Sequence, residues 1–242
     1  AKAIFKTQQK DMKEGIQAAA KSKPNPNLRS GKYYYRMFAA AIIETEQWEE
    51  AKQLMPPEGW QPKSFSKAGY AFVRGYAAAM QGDDEAKKYA AELKVIREKG
   101  FRQNHFNRPE YLEVWGLEIE AAIKLYKKDY EAAIQLATQA TLFEAKLPSP
   151  SGPPRILKPT YELLGEVYLK AGKPKKAKEQ FAISLARHPN RIRSLIGAAR
   201  SAKFNGDKLT AKENYSQILS ILKNADLVFP ELKEAKVFLE NY

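Results

Sequence analysis

Between Lys158 and Pro189, six positions meet one geometric demand. Tyr161, Leu164, Gly165 and Tyr168 stand in the first half of the run, Ala177 and Phe181 in the second, and Pro189 closes it. Gly165 and Ala177 are small enough to let two antiparallel helices approach closely, while Leu164, Tyr168 and Phe181 fill the space around that contact. Gly172, followed by Lys173 and Pro174, ends one helix and opens the next, as Gly just past a C-terminus and Pro in a first turn do. One hairpin of this size cannot bury its own apolar face, so the remaining chain must supply neighbours.

The same hairpin logic runs along the chain. Residues 1–23 carry an irregular helical stripe of Ile4, Phe5, Met12, Ile16 and Ala19, which Pro24-Asn25-Pro26-Asn27 breaks. Residues 32–45 read as a strong helix whose partner is 47–55, with Ala51 at the small-residue position. After a Pro56-Pro57 loop, 64–81 has Gly75 in the role of Gly165. Its partner, 84–99, spaces Ala86 and Ala90 four apart on the packing face. Pro109 opens a helix over 110–128, and Asp129 leads into one that continues to about residue 145. Pro148, Pro150, Pro153, Pro154 and Pro159 exclude regular structure from 147–159. Beyond the organising hairpin, 192–205 pairs with 208–223, and 230–242 forms a last helix that covers the final pair. Aligning the second-helix alanines places hairpin starts near Lys32, Ala68, Val114, Lys158 and Ile192. The intervals are 36, 46, 44 and 34 residues, and the excess falls in the proline-rich loops.

These residues resemble the tetratricopeptide (TPR) family, with Tyr161 where Trp is commonest. Residues 158–223 look like two consecutive repeats and 32–145 like three degenerate ones. Ser151-Gly152-Pro153-Pro154, Glu162-Leu163, Gly165-Glu166, Pro189-Asn190-Arg191, Ala198-Ala199-Arg200 and Gly206-Asp207 are similar to the C-terminal part of a group of bacterial TPR proteins. The resemblance implies an all-α fold: an α-solenoid, a right-handed superhelix of antiparallel helix pairs with a C-terminal capping helix. Along the single domain it implies an N-terminal helix and linker (1–27), degenerate repeats (28–145), a proline-rich loop (146–159), two clear repeats (160–223) and a cap (229–242). It further implies a concave groove lined by the first helices, which binds a peptide or partner domain without chemistry. The family's groove positions fall on Tyr33 and Arg36, Phe72 and Tyr76, Trp115 and Glu118, then Glu162, Glu166 and Lys170, then Arg193, Arg200 and Lys203. That groove would be aromatic at one end and cationic at the other. The alternative for Tyr33, Phe72 and Trp115 is that they pack between helix pairs.

Charge sharpens the expectation about partners. The 242 residues carry a formal net charge of +13 and no cysteine, which excludes disulfides and thiolate chemistry but fits cytoplasm and periplasm alike. The first residue is Ala and no apolar leader follows, so the chain reads as a processed protein or a piece of a longer one. No run of 18 apolar residues is present, so no membrane span is expected. Residues 146–222 hold 15 Lys and Arg against 5 Asp and Glu, and so ten of the thirteen net charges. Lys173, Lys175, Lys176 and Lys178 cluster at a turn, where a solvated edge is the default. Arg193 and Arg200 stand seven residues apart on one helix with Lys203, a cationic face suited to an acidic peptide, a phosphate or a nucleic-acid backbone. Nucleic-acid binding through this basic third is the second reading, although no nucleic-acid motif accompanies it. No enzyme, metal or cofactor is expected: His105 and His188 lack metal-ligand spacing, and no phosphate-cradling loop or nucleophile motif is present. Glu162 and Glu166, one turn apart, read as counter-charges for Arg or Lys of a neighbouring repeat rather than as a catalytic pair. Arg155 in the proline-rich loop either points at a ligand or belongs to a rigid connector.

Overall fold

A computed structural model describes residues 38–54, 64–102, 110–147, 156–224 and 230–241, and every regular element among them is a helix. Residues 38–45 form α1, which leads into a 3-10 helix, Trp48–Gln53. Next come α2 (Ser64–Gln81), α3 (Glu85–Arg102), α4 (Glu110–Tyr126), α5 (Tyr130–Glu144) and α6 (Thr160–Lys170). The chain continues as α7 (Pro174–Arg187), α8 (Ile192–Phe204), α9 (Lys208–Ile221) and α10 (Pro230–Glu240). The helix expected over 1–23, Tyr33, Arg36, His105 and Arg155 lie outside the described residues.

The turns explain why successive helices fold back on each other. Gly172 and Gly206 adopt φ of 70° and 75° between α6 and α7 and between α8 and α9. This left-handed conformation is open to Gly without steric cost. Lys128 holds the same conformation between α4 and α5, with φ of 60°. Asp129 and Asp207 then cap α5 and α9, accepting hydrogen bonds from the Ala132 and Thr210 amides.

Packing follows chain order. Each hairpin packs within itself (α2 on α3, α4 on α5, α6 on α7, α8 on α9), and each second helix packs on the first helix of the next hairpin. The first helices also touch in series, α2 with α4, α4 with α6 and α6 with α8, and α10 packs on α9. One apolar cluster runs from α1 to α6, a second joins α8, α9 and α10, and Phe181 with Ala177 and Ala198 lies between.

Small residues set the close approaches. A Cβ on Gly165 would stand 2.8 Å from Phe181 Cζ, and one on Gly197 would overlap the same ring. The Phe181 ring is therefore clamped between α6 and α8. The template requires glycine in α6 but finds none at the matching place in α8; Gly197, two residues earlier, supplies it. Gly75 serves α2 likewise, since a Cβ there would lie 2.6 Å from Ile119 Cδ1 and 2.7 Å from Tyr89 Cβ.

The helix expected over 47–55 is instead a 3-10 helix of six residues. Pro56-Pro57 follows directly and disfavours helical backbone before it, which leaves too few residues for an α-helix. Ala51 is nonetheless buried. Among the described residues no helix is long and apolar enough to cross a membrane.

Candidate interaction surface

Along the first helices the interior changes from aromatic to ionic. Phe72 of α2 stacks on Trp115 of α4 with ring centroids 5.3 Å apart, and Tyr76 lies edge-on to Trp48 of the 3-10 helix at 5.7 Å. Phe72, Tyr76 and Trp115 are all buried. Aromatic pairs in these geometries add about 0.5–1.5 kcal/mol beyond their area burial. The structure therefore brings three of the expected groove aromatics together as core, beside the 3-10 helix.

On α6 the burial is ionic. Lys158, buried just ahead of the helix, sets its ammonium 3.1 Å from Glu162 and 2.6 Å from Glu166. Arg191 forks onto Glu162 from the start of α8, with Nε and Nη2 at 2.7 and 3.0 Å, and the Ser194 hydroxyl donates to the same carboxylate at 2.7 Å. Burial alone would raise the Glu162 pKa, but the Lys158 and Arg191 charges outweigh it and hold the group down to about 2. Burial likewise opposes the Lys158 cation, and Glu162 with Glu166 reverses the effect. Both glutamates thus serve as counter-charges, and Glu166 stays partly exposed.

Two further carboxylates sit behind this cluster on α4 and α5. Glu144 accepts the Thr160 amide and hydroxyl at 2.8 and 2.6 Å, so a side chain of α5 caps the first turn of α6. Arg187 and His188 lie within 3.6 and 3.7 Å of its other oxygen. Glu118 is fully buried, and neither of its oxygens has a hydrogen-bond partner among the described residues. Burial, reinforced by the charge of Glu144, pushes its pKa well above the usual carboxylate range.

The expected cationic face on α8 is occupied by the chain itself. Arg193, 5 % exposed, donates to the Glu44 carbonyl at 2.6 Å and to Glu231 of α10 at 2.9 Å, with Glu46 at 3.3 Å. Arg200 grips Glu234 of α10 through Nε and Nη2, the shortest contact being 2.6 Å, and the Tyr215 hydroxyl donates to the same carboxylate at 2.6 Å. Arg191 also meets the Glu44 side chain at 3.1 Å. The cations of the basic third therefore face acids from both flanks of the sequence: Glu44 and Glu46 before it, Glu231 and Glu234 after it. Lys173 and Lys178, in the turn cluster, pair with Glu131 and Asp207 at 2.6 Å in exposed positions. Lys170 and Lys203 are exposed.

Sequence reasoning missed Lys158, Glu231 and Glu234 as members of this surface. Two local spacings carried a signal. Lys158 and Glu162 stand at i, i+4, and Glu231 and Glu234 lie three apart on one face of a helix. The Glu44 carbonyl has no side-chain signature at all.

Arg193 and Arg200 are thus already neutralised, while Lys203, Lys208 and Lys233 on α8, α9 and α10 are exposed. These three line an open cleft of about 510 Å³ with Val237, Phe238 and Asn241, between the α8–α9 turn and α10. Among the described residues no group of acidic and histidine side chains is placed to hold a metal ion. Compared with protein-family models, with curated proteins and with solved structures, the chain matches none.

Proposed function

We propose that this protein is a non-catalytic interaction module that holds a protein partner through an acidic group. In this reading the serial contacts of α2, α4, α6 and α8 are those of an α-solenoid of TPR-like antiparallel pairs, wound right-handed and capped by α10. Helix packing runs between chain neighbours and successive first helices, which supports the reading, and Arg191 and Arg193 add a tie to Glu44.

The observation that carries the proposal is the grip of Arg200 on Glu234, with Arg193 on Glu231 beside it. An acidic amphipathic helix already rests against the basic face, with Leu232, Phe238 and Leu239 packed into the core beneath it. The chemistry of α8 and its surroundings therefore suits carboxylates carried on an apolar backbone element. The buried Phe72, Tyr76 and Trp115 move the partner's contact from the aromatic end to the exposed cations at the C-terminal end.

Affinity capture on the immobilised chain, from extract with and without nuclease treatment, tests the proposal. A protein that survives nuclease treatment, and that binds the purified chain with a shallow dependence on salt, is the expected result. Recovery of nucleic acid alone, with a steep salt slope, overturns it.

A further inference from the structure

The open cleft at the C-terminal end carries more than a general affinity for acids. Lys203 stands in the last turn of α8, Lys208 in the first turn of α9 and Lys233 on α10, one turn before Val237. Among the described residues none of these three exposed ammonium groups lies within ion-pair distance of a carboxylate, whereas Lys158, Lys173, Lys178, Arg187, Arg191, Arg193 and Arg200 all do. Glu234, the one acid among the described residues that line the cleft, is already held by Arg200 and Tyr215, with the Lys203 charge a smaller influence on it. Lys208 also sits at a helix N-terminus, where the helix dipole repels a cation.

The surroundings are apolar. Val237 and Phe238 line the cleft, and the Lys203 ammonium lies 5.9 Å from the Phe238 ring. Phe204 and Leu209, in the adjoining turn, are 70 % and 61 % exposed, and Val237 is 49 % exposed. Large side chains left this open, beside a concentration of unneutralised charge, mark a surface built for contact. The volume of about 510 Å³ falls in the range of ligand clefts.

We propose that this cleft binds a short segment of a partner protein in which carboxylates flank a bulky apolar side chain, Lys203, Lys208 and Lys233 taking the carboxylates and Val237 and Phe238 the apolar group. The inference rests on the interaction-module reading and gives it a site. A polynucleotide fits less well, because three cations offer few phosphate contacts and the Phe238 ring is partly buried beneath Lys203 rather than open for base stacking.

The probe is a fluorescein-labelled peptide, Glu-Asp-Leu-Phe-Asp-Glu, titrated with the full chain and read by fluorescence anisotropy. Saturable binding is expected, weakened about tenfold or more by the combined Lys203→Gln, Lys208→Gln and Lys233→Gln changes. Lys175→Gln with Lys176→Gln, at the remote turn cluster, leaves it unchanged. Replacing Leu-Phe of the peptide by Ser-Ser weakens binding as well. All three lysines are exposed, so thermal unfolding of the variant tracks the parent, and the single Lys→Gln changes give the same ranking should the triple variant unfold early. No binding by the parent, equal binding by the triple variant, equal binding of the Ser-Ser peptide, or tighter binding of an oligothymidylate of equal charge each overturns the assignment. A captured protein that still binds the triple variant refutes this cleft alone, whereas an extract that yields no protein to the parent refutes the interaction-module reading.

Discussion

The row of first helices is filled in two ways. In α2 and α4 it is closed by Phe72, Tyr76 and Trp115 beneath Trp48, whereas in α6 and α8 it is closed by Lys158, Glu162, Arg191 and Arg193 beneath Glu44 and Glu46. Both solutions exclude water from the same kind of seam. They differ in what they specify: apolar contact rewards any shape that fits, but buried charges accept only partners placed to neutralise them. The ionic half therefore fixes which residue meets which, and it ties that choice to pH.

The largest expected effects come from removing one member of each seam. Trp115→Ala is expected to cost about 3–5 kcal/mol through the cavity it leaves, at any pH. Glu162→Gln is expected to cost a similar 3–5 kcal/mol or so at neutral pH, because Lys158 and Arg191 lose their shared counter-charge. The two separate on acidification. The Glu162 carboxyl titrates at about 2 in the folded chain against an ordinary 4.5. Its contribution is complete above about 4.5 and disappears as pH falls toward 2, so the Glu162→Gln penalty shrinks there and the Trp115→Ala penalty does not. Urea unfolding of both variants at pH 7 and near pH 3 reads the difference, and parallel pH curves would erase the distinction between the seams.

Glu118 sharpens it from the other side. Its folded pKa is raised, so the folded state binds the proton more tightly, and stability falls as pH rises above the ordinary 4.5. Glu118→Met removes an unpartnered buried carboxyl at nearly constant volume, and is expected to stabilise by about 1–3 kcal/mol at neutral pH. The gain diminishes below the ordinary carboxylate pKa. Thermal unfolding across pH 4 to 8 measures it, and a destabilised variant at neutral pH would show that Glu118 has a hidden partner.

At the small end, Lys173→Ala breaks the exposed pair with Glu131 and is expected to change stability by less than about 1 kcal/mol. A larger loss by chemical unfolding would mean that surface pairs, too, carry the ionic half.

Helices and turns were legible in the sequence because their causes are local. Gly172, Pro174 and Asp129 act within a few residues of where they stand, and Gly165 acts within its own hairpin, where it makes room for Phe181. The 3-10 helix in place of an α-helix at Trp48 was not read, although the Pro56-Pro57 pair that shortens it is also local. Of the surface, Glu162 as the counter-charge of an Arg in the next pair was legible, whereas Glu166 meets Lys158, just ahead of its own helix. The partners that occupy Arg193 and Arg200 were not, because Glu231 and Glu234 come 38 and 34 residues later and the Glu44 carbonyl 149 residues earlier. Reversing Arg193 and Arg200 would set new carboxylates against Glu231 and Glu234 in the folded chain, so Lys203 and its neighbours make the cleaner binding probe.

The bond from Arg193 to the Glu44 carbonyl has a mechanical consequence. Units that touch only their neighbours can peel away one after another from either end, but here an early segment is buckled to a late one across most of the described chain. Opening either end strains the buckle, so the intermediate hairpins are released together with it rather than in sequence.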